Sequence, residues 1–220
     1  MAENLKPEQL KNSGNYTLIR ILRHNEIVPF VLSEVRQLRW PMLVFYGFCI
    51  LVLIMILAFS IASLMNTNIT WGLYWKYLFF GFLSGMLIVI PFHELLHGLA
   101  YKISGAKKIK YGADLKQLLF YASAPGFVTE RIAFYFIAFC PFIIINLFFL
   151  AGFIYGTPAI QWGSLVALFV HSTMCIGDFA MVNFFAAYPR DRVFTFDEEK
   201  SGISYFYMEN KHESRHHDQF

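Results

Sequence analysis

Long apolar runs separated by short polar or basic stretches dominate the chain between residues 42 and 187. A helix of about 20 apolar residues is long enough to cross the roughly 30 Å hydrocarbon core of a bilayer. The pattern therefore predicts an all-α membrane protein: a four-span transmembrane helical bundle with a small cytoplasmic β-hairpin loop and a cytoplasmic tail. The predicted spans cover residues 42–65, 71–101, 132–155 and 161–187.

The spans divide the chain into three parts, which are a cytoplasmic N-terminal arm (1–40), a transmembrane domain (41–187) with a cytoplasmic loop (102–131), and a cytoplasmic tail (188–220). The composition also indicates a membrane protein, because 57% of the residues are hydrophobic and only 15% are charged. Apolar and basic residues alternate irregularly through Tyr16 to Trp40, a mixture typical of an amphipathic segment at the lipid surface.

Basic residues set the predicted orientation. Of the 18 Lys and Arg residues, only Lys76 lies on the predicted outer side, near the start of the second span, and the rest lie in the arm, the middle loop and the tail. The positive-inside rule then predicts a multi-pass protein of the cell membrane with both termini in the cytoplasm. The net charge of +3 is explained by this asymmetry, so no nucleic-acid partner is expected.

The second span ends in the sequence His93-Glu94-Leu95-Leu96-His97, an HExxH motif. On a helix the two imidazoles lie at positions i and i+4 on one face, where they can bind one Zn²⁺ while the intervening Glu94 reaches a water on the metal. Ionisable groups beside a membrane segment are costly and usually functional. The motif predicts His93 and His97 as metal ligands and Glu94 as the catalytic base.

A catalytic zinc needs a third protein ligand, and the predicted topology points to Asp178. His93 lies 17 positions after Lys76, and Asp178 lies 17 positions after Gln161, on spans that both run from outside to inside. At 1.5 Å per residue both groups lie at one depth, roughly 25 Å below the outer surface. A lone carboxylate inside a span also favours a bound cation.

Other candidates remain open at this point. His171 lies two turns before Asp178, so an interhelical hydrogen bond or an outer role around the metal is favoured for it over direct ligation. Glu130 and Asp114 in the middle loop are further candidates for the third ligand. Cys175 could bind metal but is typical of a small buried apolar residue.

Several other polar or helix-disturbing residues lie inside the spans. Pro141 predicts a kink, and Asn146 an interhelical hydrogen bond. His171 and Asn183 are guesses for an oxyanion donor. The tail residues His212, His216 and His217 are interpreted as solvated.

Two β-hairpins are predicted outside the spans. Residues 107–113 and 117–123 form the first, directly after the metal helix, and it could either bind an extended peptide along its edge or merely cover the site. Residues 193–196 and 203–207 form the second, interpreted as a surface cap.

These features together resemble a family of bacterial zincin peptidases that are small multi-span membrane proteins: HELLHG on a membrane helix, a Lys-rich loop ending in Ala-Pro-Gly, a span with a central Pro-Phe, and a later Gly177-Asp178 before a hairpin tail. The chain is more distantly similar to the site-2 proteases, which perform intramembrane proteolysis. That resemblance implies His93, His97 and Asp178 as zinc ligands and Glu94 as the base, although glycine here precedes the aspartate.

The sequence thus predicts a zinc metalloendopeptidase that holds one Zn²⁺ per chain and hydrolyses peptide bonds of membrane-anchored substrates at or near the cytoplasmic face. The expected partners are such a substrate and the lipid bilayer. The alternative is a non-catalytic metal-binding membrane protein, either a structural scaffold, a transporter or a receptor. Retention of Glu94 between the two ligands favours the enzyme, because a structural zinc has no use for it.

Overall fold

The computed structural model describes residues 5–65, 71–114, 119–198 and 202–210. Its helices are α1 (Pro7–Asn12), α2 (Ile27–Val35), α3 (Trp40–Met65), α4 (Trp71–Leu87), α5 (Val89–Ile103), α6 (Arg131–Tyr155), α7 (Pro158–Met174) and α8 (Ile176–Phe185). Its strands are β1 (Tyr16–Arg23), β2 (Lys110–Asp114), β3 (Leu119–Ser123), β4 (Thr129–Glu130), β5 (Val193–Glu198) and β6 (Ile203–Glu209).

Helices α3 and α6 carry the clearest membrane character in the described part of the chain. With 26 and 25 residues, each is long and apolar enough to cross a bilayer, and α7 with α8 can be counted as a third span. Large apolar side chains on α3 remain exposed on the protein surface, for example Leu43 at 55%, Ile54 at 56% and Ile61 at 61%. A continuous apolar helix surface of this kind is stable only against lipid, so the chain is a membrane protein.

The predicted second span is not one helix, because it breaks at Ile88 between α4 and α5. The cause is Pro91, which has no amide hydrogen to donate to the Leu87 carbonyl and whose ring crowds that carbonyl. Helix α4 therefore ends at Leu87 with only 17 residues, and the HExxH lies on the separate helix α5.

The predicted fourth span is also divided. Helices α7 and α8 meet at Cys175 and are bent by 42° relative to each other. The bend lies between His171 and Asp178, so the two residues belong to different helices.

A four-stranded antiparallel sheet with the order β1-β6-β5-β4 corrects the expectation of an all-α bundle with only two separate hairpins outside it. The predicted tail hairpin is confirmed as β5 and β6. Strand β1 comes from the N-terminal arm and pairs with β6, so residues 16–23 are a sheet strand and not an amphipathic segment at the lipid surface. The pairing joins residues almost 200 positions apart, and a local pattern could not predict it.

The predicted loop hairpin is confirmed as the pair β2 and β3, which packs on the metal helix α5. Gly98, directly after the HExxH, makes this possible. A Cβ atom at that position would overlap the ring and hydroxyl of Tyr111 on β2. The glycine thus lets the hairpin lie directly on the helix that carries the motif.

Helices α4 and α7 also approach each other through glycine. A Cβ atom on Gly81 would lie only 2.8 Å from the backbone oxygen of Gly163. Small residues allow such close backbone contact between membrane helices. The contact holds α4 against the helix that leads into the Asp178 segment.

The arm is attached to α8 by a buried polar cluster around Asn183. Its side-chain amide donates to the Glu34 carboxylate (2.9 Å), the Glu34 carbonyl (3.1 Å) and the Gln37 carbonyl (3.0 Å). Arg39 donates to the same carboxylate at 2.7 Å. Glu34 is only 8% exposed, so its charge depends on these partners.

We therefore expect Asn183→Ala to lower the free energy of unfolding by on the order of 3 kcal/mol, since it leaves buried acceptors without a donor. The measurement is the thermal midpoint of the detergent-purified protein. The control is Asn210→Ala, which removes an exposed amide from the Gly14 carbonyl and should cost less than about 1 kcal/mol. Equal midpoints for the two variants would contradict this account.

Candidate metal centre

Three side chains converge at the junction of α5 and α8. The Nε2 atoms of His93 and His97 lie 2.9 Å apart. The Asp178 carboxylate lies 3.2 Å from each of them, with Oδ2 next to His93 and Oδ1 next to His97. The structure thus brings together the three side chains that the sequence analysis named as metal ligands.

Local helix geometry explains the convergence. His93 and His97 are one turn apart on α5, so their imidazoles stack along one face. Asp178 lies in the first turn of α8, directly after the bend at Cys175. The bend therefore turns the start of α8, and the carboxylate with it, toward the two imidazoles.

A hydrogen bond at Nδ1, the second ring nitrogen of His97, fixes which nitrogen of this ring carries the hydrogen. His97 Nδ1 lies 2.9 Å from the carbonyl oxygen of Ile137 on α6, and the bond is buried. A carbonyl can only accept, so Nδ1 carries the hydrogen and donates it. In the neutral ring the lone pair is then on Nε2, which faces Asp178.

The second ring nitrogen of His93 is held by a side chain. His93 Nδ1 lies 3.0 Å from His171 Nε2, and His171 Nδ1 lies 2.8 Å from Asn146 Oδ1. With the Asn146 oxygen as acceptor, His171 carries its hydrogen on Nδ1 and accepts the His93 Nδ1 hydrogen on Nε2. His93 therefore also presents a lone pair on Nε2. This confirms the predicted interhelical hydrogen bond of His171.

The resulting centre consists of electron-pair donors that face one another. Two imidazole lone pairs and a carboxylate at 2.9 to 3.2 Å repel each other unless a cation lies between them. Tetrahedral zinc with Zn–N distances of about 2.0–2.1 Å would hold its ligand atoms about 3.3 Å apart. The observed separations and the nature of the donors fit zinc.

A carboxylate oxygen of Glu94 lies within 4.8 Å of a ring nitrogen of His93 and of His97. Ala122, on β3, lines the same cavity as this carboxylate. Glu94 and His93 line both a cavity of about 250 Å³ and a smaller one of about 110 Å³. Both cavities give the carboxylate access to space where a water and a substrate can be accommodated.

The larger cavity extends from the metal centre to the sheet, which sequence reasoning missed. Thr195, Phe196 and Asp197 on β5 line it together with the donor set, so the tail hairpin is part of the site and not a surface cap. Ser204 donates to the Asp197 carboxylate at 2.6 Å, while burial raises the pKa of that carboxyl. No local signal in the sequence indicated that the tail returns to the HExxH.

The remaining candidates lie elsewhere or play other parts. Glu130 accepts a hydrogen bond of 2.9 Å from Arg192, directly before β5. Asn183 is bound to Glu34, so its interpretation as an oxyanion donor is wrong. Cys175 Sγ lies 3.6 Å from His171 Nε2 and 4.0 Å from His93 Nδ1, on the side of His93 away from Asp178. Asp114 ends strand β2. The tail histidines fall outside the described residues.

Comparison with known proteins agrees with this geometry. The family model described as "Putative zincin peptidase" matches residues 86–193, a segment that contains the HExxH, all of α6 and Asp178. No curated protein and no solved structure matches the chain. The segment 86–193, which builds the candidate metal centre, is thus similar to a family described as zincin peptidases.

Proposed function

We propose that the protein is a zinc-dependent membrane metallopeptidase that holds one zinc per chain and cleaves membrane-anchored substrates at or near the cytoplasmic face. The observation that carries the proposal is the convergence of His93, His97 and Asp178 beside Glu94 in one cavity. Three protein ligands leave the fourth position of a tetrahedral zinc open, which is the arrangement of catalytic sites.

The chain's own residues perform the proton transfers. Zinc, when bound, supplies Lewis acidity that polarises the scissile carbonyl and lowers the pKa of a water toward about 7. Glu94 takes the proton of the attacking water and later gives it to the leaving amine.

The sheet supports four membrane crossings with both termini in the cytoplasm. Strands β1, β4, β5 and β6 belong to one sheet and must lie on one side of the membrane. Helix α3 leaves that side after β1, and α6 leaves it after β4. The chain must therefore return each time, through α4 with α5 and through α7 with α8. The excess of basic residues on the sheet side favours the cytoplasm.

The position of β3 supports an extended peptide as substrate. Within the described residues, β3 is paired with β2 on one edge and with no strand on its outer edge, and Ala122 of β3 lines the larger cavity together with Glu94. A peptide added along this outer edge would run past the metal centre. A membrane-anchored segment must unwind to adopt that form, which is easiest near the interface, where water can satisfy its backbone.

A second candidate function is a metal site without catalysis. The donor set alone would suit it, because three ligands can hold a structural metal. The location of Glu94 disfavours it, since a carboxylate that lines the cavity between two ligating histidines of an HExxH motif is placed as the general base of a peptidase.

The topology gives the first prediction here. Reporter fusions after Asn68 and Thr157 should be extracytoplasmic, and fusions after Lys110 and Phe220 should be cytoplasmic, because the sheet requires paired crossings. The measurement is paired alkaline phosphatase and fluorescent-protein activity. A cytoplasmic signal at Asn68 would contradict the four-span proposal.

For the metal, purified protein should contain about one zinc per chain. His93→Ala, His97→Ala and Asp178→Ala should each lower occupancy sharply, measured by elemental analysis after dialysis. Glu130→Ala is the control, because its carboxylate is bound to Arg192 and zinc should be unchanged. Full occupancy in Asp178→Ala, combined with loss in His171→Ala or Glu130→Ala, would rule out Asp178 as third ligand.

Catalysis is tested by Glu94→Gln, which preserves the shape of the side chain but removes the base. We expect nearly normal zinc occupancy and a fall in turnover of about 10²- to 10⁴-fold, the usual effect of a lost general base. The assay is cleavage of co-expressed membrane-anchored peptides. Equal cleavage by both proteins with zinc bound in both would mean that the site is structural.

A further inference from the structure

Helix α6 contains Pro141 in its interior and yet runs without interruption from Arg131 to Tyr155. In an α-helix the amide of residue 141 would donate to the carbonyl of residue 137. Proline has no amide hydrogen, and its ring pushes against that carbonyl. The Ile137 carbonyl therefore lacks its normal helical donor.

The same carbonyl is the one that holds a proposed zinc ligand. His97 Nδ1 lies 2.9 Å from the Ile137 oxygen in a buried hydrogen bond between α5 and α6. Ile137 itself is only 2% exposed, and Pro141 is buried as well. A buried carbonyl without a donor is costly, and His97 supplies the missing hydrogen.

We propose that Pro141 is a positioning residue of the metal centre. Because proline has no amide hydrogen, the Ile137 carbonyl accepts its hydrogen bond from His97 instead. This bond fixes the ring proton of His97 on Nδ1 and its lone pair on Nε2. The inference rests on the proposed zinc site and deepens it. Outer hydrogen bonds of this kind orient the ligating imidazole and raise its affinity for metal.

Helix α6 then determines the proton positions of both HExxH histidines. It holds His97 through a backbone carbonyl and His93 through Asn146 and His171. Asn146 is nine positions after Ile137 on the same helix. The acceptor for His97 is the backbone carbonyl of Ile137, so a change of the Ile137 side chain does not remove it. Residue 141 decides whether a helical amide competes with His97 for that carbonyl oxygen.

The test compares two replacements of Pro141 that differ in one atom. Pro141→Ala restores an amide hydrogen, whereas replacement of Pro141 by lactic acid introduces an ester that removes the proline ring but again offers no hydrogen. Pro158→Ala is the matched control, because Pro158 is at the first position of α7, where an amide has no helical acceptor. Zinc affinity is measured by competition with a chelator.

We expect Pro141→Ala to lower zinc affinity by about 10- to 100-fold, the range for a lost outer hydrogen bond, while the ester and Pro158→Ala stay within about threefold of the natural protein. The thermal midpoint of the metal-free protein should be equal or higher in Pro141→Ala, since the helix regains a bond. Histidine ¹⁵N spectra of metal-free protein, recorded at a pH high enough that the imidazoles are neutral, should show His97 protonated on Nδ1 in the natural and ester proteins, and a mixture in Pro141→Ala.

Three results would overturn the inference: unchanged zinc affinity in Pro141→Ala, an equal loss with alanine and ester, or a midpoint of Pro141→Ala below that of Pro158→Ala. The second would assign the effect to the ring, and the third would make the proline purely structural. If the natural protein binds no zinc, the proposed function fails instead. The ¹⁵N spectra still decide the role of Pro141 in that case, because they need no metal.

Discussion

The arrangement of this protein depends on placing two imidazole lone pairs and a carboxylate within 3.2 Å of one another inside a helical bundle. In surroundings of low dielectric constant these groups repel strongly, so the site is stable only with a cation or a proton between them. The rest of the structure supplies what holds them there. The break before α5 separates the HExxH helix from α4, and the bend before α8 aims Asp178. On the far side, α6 accepts the ring hydrogen of His97 directly and that of His171, which in turn accepts the ring hydrogen of His93.

The sequence predicted the side chains of the metal centre better than it predicted the helices that hold them in place. The i, i+4 spacing of the motif and the equal depth of Asp178 are properties of regular helices, and they were sufficient to bring His93, His97 and Asp178 together. The same assumption of regular helices failed at Pro91 and Cys175. There the chain breaks or bends within stretches that are apolar enough to be interpreted as continuous spans.

The sheet was the part least accessible to sequence reasoning. Strand β5 and the loop hairpin were evident locally, since alternation and turn residues are local signals. The pairing of Tyr16–Arg23 with Ile203–Glu209 is decided by tertiary contacts between distant segments, and the basic residues of the arm suggested lipid contact instead. The burial of Leu22 and Phe206 in one core cluster explains why the strand prevails over the lipid surface.

The sheet and the membrane bundle together explain how a zinc peptidase could work at this depth. Hydrolysis needs water, whereas the ligands need a dry and rigid surrounding to hold their geometry. The larger cavity joins these requirements, because it begins at the donor set and extends to Thr195 and Asp197 on the cytoplasmic sheet proposed above. Water would reach Glu94 from the sheet side. A substrate segment would meet the metal only where its backbone can leave the helix, and the boundary between bundle and sheet is such a place.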